Sequence, residues 1–175
     1  RRSGISFGLG FSPLGLAEDI DGQLDELVCA VQRLLRVGVD VFCLLFDDMP
    51  GSDPELAKKQ LKIAEIVERT IPADTALVVC PSYYSDDPVL DEVFGQRPEN
   101  YLEELGQGLS ARWSIFWTGQ QVVTLDYDLD KLQQVSTVLN RKPLLWDNYP
   151  VNDGRKLWPF INLLPKPRQC LDGYV

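Results

Sequence analysis

Histidine is absent from the sequence. With it go imidazole general bases, His-based catalytic triads and most zinc sites. Cysteine is sparse: Cys29, Cys43, Cys80 and Cys170 show no metal-binding spacing. Cys29 and Cys43 sit within apolar patterns and read as reduced, buried thiols, which suits a reducing compartment and a cytoplasmic location. Positive charge is outnumbered, with 17 Lys and Arg against 26 Asp and Glu and a formal net charge of −9. That balance argues against nucleic acid as a partner, because phosphate binding rests on clustered Lys and Arg. No apolar run approaches the roughly 20 residues that cross a bilayer, which argues against a membrane partner. Neither a signal-peptide pattern nor an initiator Met is present, so the chain reads as a piece of something longer. Its chemistry must rest on carboxylates, amides, phenols and hydroxyls, and no metal or other cofactor is expected.

What is present is an ordinary globular composition, 45% hydrophobic and 25% charged over 175 residues. The organising stretch is Val39-Asp40-Val41-Phe42-Cys43-Leu44-Leu45-Phe46-Asp47-Asp48-Met49-Pro50. Its apolar run has strand length and reads as a strand covered on both faces. Alternation puts Val41, Cys43, Leu45 and Asp47 on one face, with Asp48 beginning on the other. If the backbone leaves the strand at Met49-Pro50, both carboxylates can look into one site. The competing reading makes Asp47-Asp48 the cap of the helix that follows, although Ser52 and Asp53 sit closer to it.

Four further strands read from the pattern: Gly-rich residues 5–11, then 76–80, 113–117 and 143–146. Four helices alternate with them, over residues 21–37, 54–69, 100–106 and 128–140, the first capped by Asp19 or Asp21 and ended by Gly38. Residues 82–98 read as a polar loop. Alternating units of this kind make a parallel α/β sheet. The polar residues gather after the strands, at Asp47-Asp48, Tyr84, Thr118, Asn148 and Asp153, and right-handed crossovers carry all those loops to one edge. Five units are fewer than the eight that close an α/β barrel, and the chain is short of that fold's typical length of about 250 residues.

Phe46-Asp47-Asp48 at a strand end, Cys80-Pro81-Ser82-Tyr83-Tyr84, Trp117-Thr118-Gly119 with Val122-Val123, and Trp146-Asp147-Asn148 with Asp153 occur in one order. This series resembles glycoside hydrolase family 84, the O-GlcNAcases and related bacterial β-N-acetylglucosaminidases, from the first strand to about Asp153. The resemblance implies a (β/α)8 TIM-type barrel, of which residues 1–175 form one partial catalytic domain holding strands three to seven. The first two strands, the eighth, and the sugar-binding Gly, Lys and Asn they supply are then missing. Position 83 departs from the animal enzymes, which have Glu there.

The implied activity is retaining hydrolysis of terminal β-linked N-acetylglucosamine on a glycoprotein or glycan, with the substrate's acetamido oxygen as nucleophile. Carried over, Asp47 orients and polarises the acetamido N–H, and Asp48 is the general acid and then base. Asp153 accepts from sugar hydroxyls. Asn148 and Tyr84 bond around the acetamido group and the aspartates, and Cys80, Thr118 and Trp146 wall the acetamide pocket. Two readings from other classes stay open at this point. Asp47, Asp48 and Asp153 could hold Mg²⁺, or an incomplete barrel could bind sugar or act as a scaffold without catalysis.

Overall fold

The computed structural model describes residues 4–16, 19–47 and 49–148. Strands β1 (Gly8–Phe11), β2 (Val41–Leu45), β3 (Ala76–Cys80), β4 (Trp113–Trp117) and β5 (Leu144–Leu145) form one parallel sheet in the order of the chain. Between them run α1 (Leu24–Leu35), α2 (Leu56–Thr70), α3 (Val89–Phe94), α4 (Tyr101–Gly108) and α5 (Leu129–Val138). A doubly wound sheet would reverse its strand order at one point, and this one does not. Consecutive order with right-handed crossovers puts every helix on the same face. Accordingly α1 packs beside α2, α2 beside α4 and α4 beside α5, a helical layer in step with the strands. The winding is that of an α/β barrel, with four βα units and a fifth strand among the described residues.

The register sorts the strand side chains onto two faces. Phe42 lies opposite Leu77, Leu44 opposite Val79, and Leu77 opposite Trp113, so these residues and Ile115 and Trp117 face the helices. All are buried, in one cluster with Leu27 and Val31 of α1, Ile63 and Val67 of α2, Leu105 of α4 and Leu132 of α5. The other face carries Gly8 and Gly10 of β1, then Val41, Cys43, Leu45, Val78, Cys80, Ser114, Phe116 and Leu144. Val78 and Cys80 at its centre are buried. Cys43, Leu45, Phe116 and Leu144 are half-exposed, and Gly8, Gly10 and Ser114 are exposed. In a closed barrel this face would pack on itself.

Several expectations need correction. Cys29 is exposed, because Leu27 and Val31 take the buried stripe of α1 and residue 29 falls on its outer side. Helix α1 starts at Leu24 and lacks a side-chain cap; Asp19 instead accepts from Gly22 N (3.0 Å) in the turn before it. The first strand starts at Gly8, since β1 pairs only with β2 and Ile5 stands 75% exposed. The loop at 82–98 contains the six-residue α3, which makes five helices among the described residues. That helix was hidden by its brevity and by the punctuation of Pro88 and Gly95.

Arg141 holds the amino side of β4 and β5 together. Its Nη2 donates to Gly106 O and Leu109 O (both 2.8 Å), and its Nη1 to Ser110 O (2.8 Å) and Trp113 O (3.0 Å). Carbonyls at a helix C-terminus lack intrahelical donors, and a cation there also meets the helix dipole. Gly106 allows this close approach, since a Cβ on it would stand 2.5 Å from Leu139 O. Arg141→Ala should therefore lower stability by about 2–3 kcal/mol in urea unfolding of the native protein; a change below about 0.5 kcal/mol is what an unimportant surface site would show.

The described edges and the half-open face generate a second expectation. Residues 1–175 produced alone should self-associate at micromolar concentration, as sheet edges and apolar faces find partners. Sedimentation velocity reads this directly, and a monomer with a sharp two-state melt would contradict it.

Candidate active site

The site is built where β2, β3, β4 and β5 end. Phe46 N donates to Cys80 O (2.9 Å), so pairing runs one residue past β2. Phe46 is buried in the core cluster, and Asp47, which follows it in the turn, is half-buried. Met49 N then donates back to Phe46 O (3.1 Å), and the chain turns away from the sheet. Helix α2, like α1, lacks a side-chain cap; Asp53 Oδ1 accepts from Glu55 N (2.8 Å) in the turn before it. Lys59 pairs with the other oxygen and, with that backbone bond, holds the Asp53 carboxyl below the ordinary range. Asp48 and Asp153 lie outside the described residues.

Phe46 O also anchors a closed polar circuit in the core. Ser82 Oγ donates to it (2.9 Å) and accepts from Gln60 Nε2 (2.9 Å). The Tyr101 hydroxyl donates to Gln60 Oε1 (2.5 Å) and accepts from Ser82 N (3.0 Å). Gln60, Ser82 and Tyr101 are at most 1% exposed. Burial pushes the Tyr101 phenol far above its ordinary range, so it remains a donor at any working pH. The circuit joins the end of β2 to the end of β3 through α2 and α4. Sequence reasoning missed it, yet one signal was present: Gln60 stands on the buried stripe 56, 60, 63, 67 of α2.

After β3 the chain alternates sharply in environment. Tyr83 is buried, its hydroxyl donating to Gly95 O (2.5 Å), its ring edge-on to Tyr101 at 5.4 Å and beneath the Arg97 guanidinium at 4.9 Å. Tyr84 turns the other way and meets Trp146, ring centroids 5.6 Å apart. Trp146 N donates to Trp117 O (2.9 Å), and its ring also meets Phe116 at 5.7 Å. Phe116, Tyr84 and Trp146 thus form an aromatic wall on the side of the sheet away from the helices. Cys80 lies on the same face, fully buried.

Thr118 N donates to Tyr84 O (2.9 Å), joining the ends of β3 and β4. Its hydroxyl donates to Gln121 O (2.9 Å), and the residue is fully buried. Asn148, 8% exposed, donates from Nδ2 to Val122 O (3.1 Å) in the loop after β4. Of the residues singled out by sequence, Tyr84, Trp146, Thr118 and Asn148 are therefore linked directly or through one loop. Asp47 and Cys80 close the same edge from β2 and β3.

Burial shifts further ionisable groups near this edge. Burial raises the Asp86 carboxyl, with Arg97 and Lys131 opposing. Burial also raises the Cys43 thiol, which keeps it protonated and poor as a nucleophile. Among the described residues no group of three or more His, Cys, Asp and Glu is set to hold a metal. Two of the three carboxylates of the Mg²⁺ reading are not among them. A cavity of about 540 Å³ elsewhere is lined by Leu61, Lys62, Glu68, Leu109 and Trp113. It lies in the helical layer near the start of β4, away from the strand ends. No described helix is long and apolar enough to cross a membrane.

Tyr101→Phe tests the circuit, because it keeps the ring and removes only the hydroxyl. It leaves Ser82 N and Gln60 Oε1 buried without that partner and should cost about 1–3 kcal/mol in urea unfolding. Unchanged stability would mean that the circuit is dispensable.

A family model described as beta-N-acetylglucosaminidase matches residues 1–164. The O-GlcNAcases of Rattus norvegicus and Mus musculus are each 27% identical over 158 residues, which is 85% of this chain and 17% of theirs. Among solved structures, an O-GlcNAc hydrolase mutant of Thermobaculum terrenum superposes with a TM-score of 0.68 at 30% identity, covering 88% of this chain and 34% of that one. The chain spans less than a fifth of the length of the curated relatives it matches.

Proposed function

Because this chain belongs to the beta-N-acetylglucosaminidase family, glycoside hydrolase family 84, we propose that the protein carrying it is a retaining β-N-acetylglucosaminidase of the O-GlcNAcase kind. Its substrate is a terminal β-linked N-acetylglucosamine on a glycoprotein or glycan. The observation that supports this most is Asp47, held at the end of β2 by the Phe46 circuit, on the strand edge that also bears the Tyr84–Trp146 wall. A carboxylate with an aromatic surface suits a sugar: one accepts from N–H or O–H groups, the other covers the apolar ring face.

In this reading the acetamido oxygen of the substrate attacks its own anomeric carbon. The bond to the leaving oxygen breaks, and an oxazoline forms with retention after water opens it. Asp47 accepts the acetamido N–H, draws the group into position and stabilises the positive charge that develops on it. Asp48 gives its proton to the leaving oxygen and later takes one from the attacking water. Two carboxylates in one pocket raise each other's cost of ionisation, so one holds a proton near neutrality without any histidine. Tyr84 and Asn148 bond around the acetamido group and the aspartates. Cys80, Thr118 and Trp146 shape the space for its methyl, and Asp153 accepts from hydroxyls at the far side of the ring. Cys29, Cys43 and Cys80 as reduced thiols suit a reducing, cytoplasmic setting.

The two aspartates should differ in kind when replaced in the full-length protein. Asp48→Asn should slow substrates with poor leaving groups by about 10²–10⁴-fold and spare activated aryl glycosides. Asp47→Asn should be felt with every leaving group, because attack by the acetamido oxygen displaces each of them. The same leaving-group dependence in both variants would contradict these roles.

Specificity tests the mechanism as a whole. Aryl β-N-acetylglucosaminide should be hydrolysed and aryl β-glucoside should not, since the glucoside carries no internal nucleophile. A thiazoline analogue of the oxazoline should inhibit strongly. Comparable rates on the two aryl glycosides would defeat substrate assistance.

A further inference from the structure

We propose that Asp87 is a positioning residue for Asn148 and thereby for the acetamido end of the substrate, an inference that rests on the glycosidase reading above. Asp87 accepts from the backbone of two different elements. Its Oδ1 accepts from Val89 N (3.1 Å) at the start of α3, and its Oδ2 from Val122 N (3.1 Å) in the loop after β4. Val122 is held from its other side as well, where its carbonyl accepts from Asn148 Nδ2 (3.1 Å). The result is a chain of contacts from the β3 loop, through the β4 loop, to the end of β5.

The same two loops are stitched at a second point, which keeps Asp87 in place. Ser85 Oγ donates to Gly119 O (3.0 Å) and accepts from Asp87 N (3.1 Å), while Asp86 N also donates to Gly119 O (3.2 Å). Gln121, next to Val122, is fixed by Thr118 Oγ1 on its carbonyl and by Thr124 Oγ1 on its N–H. The loop can therefore hold a carbonyl at one place relative to β5.

That matters because a carboxamide has two ends of similar shape and opposite chemistry. A carbonyl acceptor can bond only the NH₂ end. With Val122 O fixed, the Asn148 side chain is locked into one of its two flips, and the oxygen must occupy the other corner. A carboxamide free to flip would offer a donor where an acceptor is needed half of the time. Asp87 thus determines which polar group Asn148 presents, without touching substrate itself. In the sequence it is merely an aspartate before a proline in a polar stretch.

The test is a double-mutant cycle in the full-length protein on an aryl β-N-acetylglucosaminide. Asp87→Ser keeps a side-chain acceptor for Val89 N but is too short to span to Val122 as well. It should lower kcat/KM about tenfold, as loss of an outer supporting contact commonly does. In an Asn148→Ala background the same change should matter by less than about twofold, because coupled positions are not additive. Asp87→Asn, whose one acceptor can stay on Val122 N while water takes the exposed Val89 N, should retain most of the rate. An equal loss in both backgrounds, with Asp87→Asn as poor as Asp87→Ser, would overturn the relay. Hydrogen exchange gives a measure independent of variant folding. The Val122 amide of the unaltered protein should be protected, and exchange at the rate of an open loop amide would also overturn the relay. The failure of the function itself looks different: the unaltered protein would not prefer the aryl N-acetylglucosaminide to the glucoside, and the relay would fall with it.

Discussion

The structure depends on what is done with one carbonyl, that of Phe46. It ends the paired part of β2, immediately before Asp47, at the point where a buried strand must turn into a site. Two donors meet it, Ser82 Oγ at 2.9 Å and Met49 N at 3.1 Å. The first belongs to a circuit in which every bond runs in one sense, from Ser82 N to Tyr101 to Gln60 to Ser82 Oγ to Phe46 O. A buried circuit of this kind is stable because each of these donors has an acceptor, and a partly satisfied one would be worse than an apolar core. Its geometric effect is to tie the ends of β2 and β3 to α2 and α4 together.

From that anchor the rest of the edge follows by short links. Cys80 O takes Phe46 N, Tyr84 O takes Thr118 N, and Trp117 O takes Trp146 N. Each successive strand end is thus fixed to its neighbour beyond the formal end of the strand. The aromatic wall of Phe116, Tyr84 and Trp146 rests on those links, as does the Asn148–Val122 contact. Rigid elements holding short loops is the arrangement in which catalytic geometry is most easily kept. At the opposite end of the sheet, Arg141 performs a comparable service with a guanidinium and five carbonyls. The two ends use different chemistry for a physical reason: the amino end of the sheet has orphan helix carbonyls to satisfy, and the carboxyl end has a carbonyl and an amide to place.

The face away from the helices carries the other consequence of this architecture. A singly wound sheet puts its helices on one side, so the second side must be covered by curvature and further strands. Val78 and Cys80 at its centre are already buried, while Cys43, Leu45, Phe116 and Leu144 around them are half-exposed. This agrees with a chain that spans a third of the Thermobaculum terrenum structure it superposes on.

Local pattern alone determined the five strands, the long helices and the parallel class, because unbroken apolar runs and 3.6-residue stripes are properties of neighbours in the chain. It also put the polar residues after the strands, and their order carried the family resemblance. The winding of the sheet was decided by tertiary structure, since strand order depends on which runs pair and not on how each run reads. So was the exposure of Cys29, which lies in an apolar stretch but on the wrong side of α1. Helix α3 was too short to show a period. The Gln60–Ser82–Tyr101 circuit and the Asp87–Val122–Asn148 contacts join residues from 19 to 41 and from 26 to 35 positions apart. No window along the sequence contains such partners together. Which polar side chain is buried with its bonds satisfied, and which merely lies in a loop, is settled only when the strands bring their ends to one edge.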